Sequence, residues 1–217
     1  MALAVAPAAR ADSVVYSLDS STFTGATLPA GTVTATDTST GVELVVQLAP
    51  SIYFNHQTGA GPTFSFSITP GSNFTIDGVT ATNAGGTEIT TDFTTTINAD
   101  TVGISGNGDF TSAVQCNYCG PNAAKGYNDL TTLVLAINGT DADGNLLTIN
   151  DFVLSSAGNP GGYFAADVNM GGNTGLVYAH KPGEPGVPPS VPEPSSLLFL
   201  GTGLAALGGA IRRRLAR

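Results

Sequence analysis

Apolar and polar residues alternate with a period of two through most of this chain, in short runs broken by glycine, asparagine, aspartate and proline. That period places successive side chains on opposite faces of a strand. Thr63-Phe64-Ser65-Phe66-Ser67-Ile68 is the strictest case, with Phe64, Phe66 and Ile68 on one face. Ser13–Leu18, Thr32–Thr36, Val42–Leu48 and Ser51–Phe54 read the same way, as do Phe110–Gln115, Leu130–Ile137, Leu146–Leu154, Tyr163–Val168 and Gly175–Tyr178. Phe74–Ile76 and Val79–Thr82 flank Asp77-Gly78, which predicts a two-residue hairpin. The β-branched stretch Thr87–Ile97 predicts one further strand. No segment before the C-terminal tail sustains a period of 3.6. The pattern predicts an all-β protein, an antiparallel β-sandwich or jelly-roll-like domain over residues 12–180.

Charge is segregated. All sixteen carboxylates lie between Asp12 and Glu193, where Lys125 and Lys181 are the only cations, so that span carries −14. A surface this acidic excludes nucleic acid as a partner, because binding there begins with cations on phosphate. The carboxylates sit mostly at turns, where water keeps them ionised, and the balance suits solubility or attraction of divalent cations.

Both ends depart from the strand pattern. Residues 1–11, MALAVAPAARA, are mostly apolar and close on Ala9-Arg10-Ala11, a small-x-small cleavage pattern. They read as a partial signal peptide, short in its apolar region and without the usual basic start. Residues 181–191, KPGEPGVPPSV, form a proline-rich, semi-rigid spacer. Then come Pro192-Glu193-Pro194, an apolar run Leu197–Ile211, and Arg212, Arg213 and Arg214, with Arg217 last. As a helix the run measures about 22 Å, short of the roughly 30 Å bilayer core, and Ser195 and Ser196 extend it. Gly201, Ala205 and Gly209 give it one small-residue face, suited to close approach by another membrane helix. The arginines stop transfer and remain cytoplasmic, which leaves everything upstream on the outer side. A single C-terminal transmembrane helix is therefore expected.

Pro-Glu-Pro, apolar helix and basic end, in that order, resemble the PEP-CTERM sorting signal over residues 192–217. The resemblance implies an exported protein processed by an exosortase: anchored in the inner membrane by its tail, then passed to the cell surface or extracellular matrix. It also implies an association with exopolysaccharide. A looser likeness to PEP-CTERM ectodomains rests on Cys116-x-x-Cys119-Gly120, the strand Leu130–Ile137, Phe164-Ala165-Ala166-Asp167-Val168 and Gly172-Asn173-Thr174-Gly175. It implies no catalytic role for any of these residues.

Little else in the chain points to chemistry. Cys116 and Cys119 are the only cysteines, and in an exported chain such a pair reads first as a structural disulfide, with redox and metal roles as alternatives. A zinc site or a Ser-His-Asp triad would have to recruit His56 or His180, both in polar, turn-like sequence outside any expected strand. Asp141-Ala142-Asp143-Gly144-Asn145 begins like a calcium loop but departs from the EF-hand spacing, with Phe152 where the bidentate glutamate belongs. A turn on Asp143-Gly144 is the simpler reading, with Asp100 and Asp109 around Gly103–Gly108 as a second weak calcium candidate. Tyr53, Tyr118, Tyr127 and Tyr163 are the aromatic residues available to a sugar groove, and nothing in the sequence groups them. The expectation is a protein with no catalytic residues, metal or cofactor. The rival readings are a carbohydrate- or calcium-binding surface module and a secreted hydrolase.

Overall fold

The computed structural model describes residues 12–55, 62–90, 92–99, 102–103, 109–120, 127–154 and 161–181. The chain divides between Val187 and Pro188, and every described residue belongs to the first unit. The signal-peptide segment, His56, Asp100, the proline-rich spacer from residue 182 onward, Pro192–Pro194, the apolar run and the arginines all lie outside the described residues. Among the described residues, no helix is long and apolar enough to cross a membrane.

The strands are β1 (Ser13–Ser21), β2 (Gly31–Asp37), β3 (Gly41–Leu48), β4 (Ile52–Phe54), β5 (Phe64–Phe66), β6 (Asn73–Asn83) and β7 (Glu88–Ile89). They continue as β8 (Phe93–Thr96), β9 (Val102–Gly103), β10 (Asp109–Phe110), β11 (Ser112–Cys116), β12 (Leu130–Thr140), β13 (Phe164–Met170) and β14 (Asn173–His180). Twelve form one sheet in the order β7-β6-β12-β3-β2-β1-β14-β13-β5-β11-β8, with β4 also on β13, while β9 and β10 make a separate hairpin. All pairings between these strands are antiparallel, as expected.

Covalent geometry dictates the curl of this sheet. Laid flat, its ten spacings of about 4.8 Å would hold β7 and β8 roughly 48 Å apart. Yet Ile89 ends β7 and Phe93 begins β8, and four residues of chain span at most about 14 Å. The sheet therefore curls until its ends approach, and its two halves enclose one core, the expected sandwich drawn from a single hydrogen-bonded path. Strands from both halves contribute: Leu44, Leu133 and Leu135 from one, Phe64, Phe66 and Phe164 from the other. Phe164 stacks on Phe64 at 5.8 Å and meets the edge of Tyr16 at 4.8 Å, contacts worth about 0.5–1.5 kcal/mol each beyond burial.

Three sequence expectations are corrected. Asp77-Gly78 is a bulge inside the continuous strand β6 and makes no hairpin: pairing with β12 shifts between Val134↔Thr80 and Ala136↔Asp77. Phe74 and Ile76 point inward, and so do Val79 and Ala81, three residues further on. The extra residue absorbs that change of phase, and Gly78 sits there at φ +60° without a Cβ penalty. Thr87–Ile97 is two strands at opposite ends of the sheet, parted at Asp92, which has φ +73°. Leu146–Leu154 is largely not a strand. Its 3-10 turn Ile149–Asp151 is held by a capping box, in which Asn150 N donates to Thr148 Oγ1 at 3.4 Å and Thr148 N to Asp151 Oδ2 at 2.8 Å. Ile149 N donates to Asp37 Oδ1 at 2.8 Å, so side chains take the place of a ladder.

Candidate functional site

Because side chains alternate across each strand, the curled sheet has an outer face as well as an inner one, and the two halves treat it differently. Over β14, β13, β5 and β11 it is covered. Phe110, brought by the β9–β10 hairpin, packs with Ala165, Leu176 and Tyr178 in a small second core. Burial pushes the Tyr178 phenol up to about 12. Over β1, β2, β3, β12 and β6 the outer face is solvent-facing and built in cross-strand rows. The register aligns Val15, Thr34, Val45, Val134 and Thr80 across five strands. None of the three valines belongs to the inner core, and Val15 is 41% exposed. One flanking row carries Thr32, Gln47 and Thr132; the other carries Thr36, Glu43 and Asp77. Asn138 Nδ2 at 3.0 Å and Thr75 Oγ1 at 2.8 Å donate to Asp77 Oδ2 and hold that carboxyl below its ordinary value.

The covered half contains a buried acid. Asp167 lies mid-strand in β13 on the outer face, 1% exposed. Asn55, itself fully buried, donates from Nδ2 to Asp167 Oδ2 at 3.1 Å, and its own Oδ1 has no partner among the described residues. Burial pushes the Asp167 carboxyl up to about 7, and the Asn55 hydrogen bond offsets only part of that. The expectation of turn-borne, solvated carboxylates fails here. The sequence signal was an aspartate inside the otherwise apolar run Phe164–Val168.

His180 is also corrected. It is the last residue of β14, and both ring nitrogens are held: Nδ1 lies 2.6 Å from Asp19 Oδ1, and Nε2 lies 2.6 Å from the Gly161 carbonyl. Asp19 reaches it because β1 bulges between Leu18 and Ser20, re-aiming that side chain. The pairing has the Asp–His half of a hydrolase relay, but Nε2, where a nucleophile would stand, faces a carbonyl oxygen. Lys181 follows with its ammonium 4.5 Å above the Tyr163 ring, so that tyrosine is buried under a cation and does not form a sugar platform.

Asp141 caps its own turn. Its Oδ1 accepts from the backbone N–H groups of Asp143 and Asn145 at 2.9 and 2.8 Å, and Asn145 Nδ2 donates to Oδ2 at 3.1 Å. The Asn145 amide and then those backbone donors hold the carboxyl below its ordinary range. Donors therefore occupy the oxygens that a calcium ion would need. Asp109 belongs to β10, and its side chain lies outside the described residues. Among the described residues, no three His, Cys, Asp or Glu side chains gather as metal ligands. Cys116 and Cys119 stand at disulfide distance, Cα–Cα 5.6 Å, in the inner core, and Cys119 forms a backbone bridge with Tyr127, whose hydroxyl donates to Asp92 Oδ2 at 3.3 Å. Among the described residues, shallow clefts of about 350 and 390 Å3 open at the turns, and no titratable side chain lines these two.

The family model of the PEP-CTERM protein-sorting motif matches residues 190–214. No curated protein and no solved structure matches the chain. The motif marks an exported protein, sorted to the cell surface through its C-terminal signal by an exosortase.

Proposed function

We propose that this PEP-CTERM protein acts without catalysis, as a β-structured component of the cell surface or extracellular matrix associated with exopolysaccharide. Residues 197–211 anchor it in the inner membrane with Arg212–Arg214 on the cytoplasmic side until the exosortase acts at the Pro192-Glu193-Pro194 segment. The spacer holds the domain clear of the membrane meanwhile. Cys116 and Cys119 are bridged after export and fix the turn that leads toward β12.

The observation that carries the non-catalytic reading is the occupancy of the reactive groups. General acid–base chemistry needs a titratable group within reach of a bound substrate. Here His180 spends both nitrogens on Asp19 and Gly161, Asp141 is closed by its own turn, and Asp167 is buried against Asn55 away from either cleft. The full-length protein should hydrolyse no ester, peptide or glycoside above background in a broad screen. A robust activity abolished by Asp167→Asn or His180→Gln, with the melting temperature kept, would replace this reading with the hydrolase.

A further inference from the structure

We propose that the open outer face of β1, β2, β3, β12 and β6 is a docking surface for a neutral, ribbon-shaped polysaccharide. The inference rests on the reading of the protein as polysaccharide-associated, and it names the surface and the class of polymer.

Val15, Val45 and Val134 form an interrupted methyl stripe that crosses the strands, with Thr34 and Thr80 between and beyond them. Along each strand the next outward residues lie two positions away, about 6.8 Å to either side. There Thr32, Gln47 and Thr132 present hydroxyl and amide groups, and opposite them Thr36 presents a hydroxyl while Glu43 and Asp77 present carboxylates that accept from sugar hydroxyls. A pyranose chain with equatorial hydroxyls has the matching section, with C–H groups on the ring faces and hydroxyls along both edges. Laid along the stripe, its rings cover the methyl groups and its edge hydroxyls meet the flanking rows. Neighbouring strands repeat about every 4.8 Å, so five strands offer roughly 19 Å of such track, room for several sugars.

Charge selects the polymer. None of the three rows holds a lysine or arginine, and the span from Asp12 to Glu193 carries −14. A polyuronate finds no cation here and is repelled at long range. A neutral chain pays no such cost and needs no counter-ion. Each sugar gains little on a face without aromatic rings, so affinity comes from many weak contacts along one chain. Long polymers therefore bind where a disaccharide does not.

The test uses the full-length chain in non-ionic detergent, so its outcome does not depend on processing. Wild-type protein should be retained on cellulose and retarded in gels containing a soluble neutral β-glucan. Retention should be unchanged by high salt and absent on polyuronate gels, and free cellobiose should not compete. Thr34→Lys and Val45→Lys place a long charged side chain on the stripe and should each lower retention at least about tenfold; Thr34→Lys serves if the valine variant does not fold. The assignment is overturned by no retention on either neutral polymer, by equal retention on polyuronate, or by retention unchanged in folded Thr34→Lys. A concentration-dependent dimer lost in the same variants would overturn it in favour of a second copy on this face. Recovery of processed protein with the matrix polymer of producing cells tests the underlying reading separately. Success there with failure on neutral polymers would remove the face assignment alone.

Discussion

The two outer faces of this one sheet share a backbone pattern and differ in what covers them. Over β13 and β14 the hairpin residue Phe110 closes a second core, and on the same face Asp167 is taken out of water against Asn55. Over β3 and β12 the outward positions, Glu43, Val45 and Gln47 on one strand and Thr132, Val134 and Ala136 on the other, stay open to solvent and carry no cation. A covered face spends its residues on stability. An uncovered face, backed by the same inner core, leaves its residues available for contact with something outside the molecule.

The largest expected effect comes from removing the cover. Phe110→Ala should cost about 3–5 kcal/mol, the usual range for a fully buried phenylalanine, read as a lower midpoint in urea. Thr34→Ala, on the open face, should cost under about 1 kcal/mol. Equal losses would mean that the two faces are not differently loaded.

Asp167 gives the next contrast. Its folded value, about 7, lies above the 3.8 of the unfolded chain, so the native state binds the proton more tightly. Its stabilising contribution is complete below pH about 4, falls as pH rises toward 7, and is spent above that. Over this window stability should drop by a few kcal/mol, and Asp167→Asn should flatten the decline and exceed wild type at pH 8. Urea midpoints from pH 4 to 8 provide the check. Parallel curves for the two proteins would place a solvated carboxylate there. Asp77, on the open face and held low by Asn138 and Thr75, should show no such decline.

A smaller effect than the loss of Phe110 or the titration of Asp167 belongs to the bulge. A Cβ at Gly78 would meet nothing within 4 Å, so Gly78→Ala isolates the backbone cost of the left-handed conformation, about 1–2 kcal/mol. Asn at the same position should lose less, because it tolerates that region. A neutral Gly78→Ala would show that β6 has another register available.

These contrasts also mark what the sequence made legible. The period of two located most strands and the antiparallel class, because burial enforces alternation wherever one face is wet. The alternation Thr32-Val33-Thr34-Ala35-Thr36 announces the open face in that way. At Asp77-Gly78 the phase of the apolar residues breaks, and a break suits a hairpin and a bulge equally; the partner strand β12 decides, and it lies more than fifty residues further on. The Leu146–Leu154 region carried a legible Thr148-x-x-Asp151 capping box that its apolar residues overshadowed. Asp167 and His180 were misplaced for a common reason: their partners, Asn55 and Asp19, are distant in the chain, and only the curl brings them together. The sorting signal was legible throughout, because its three parts are contiguous and need no tertiary contact.

Processing of the tail is the most direct test of the account as a whole. Wild-type protein released from the surface of exosortase-bearing cells would be digested and its C-terminal peptide sequenced by mass spectrometry. The expected terminus lies upstream of Arg212–Arg214, with full-length Glu193→Ala protein held in the inner membrane. Surface-released wild-type protein that still ends at Arg217 would contradict it.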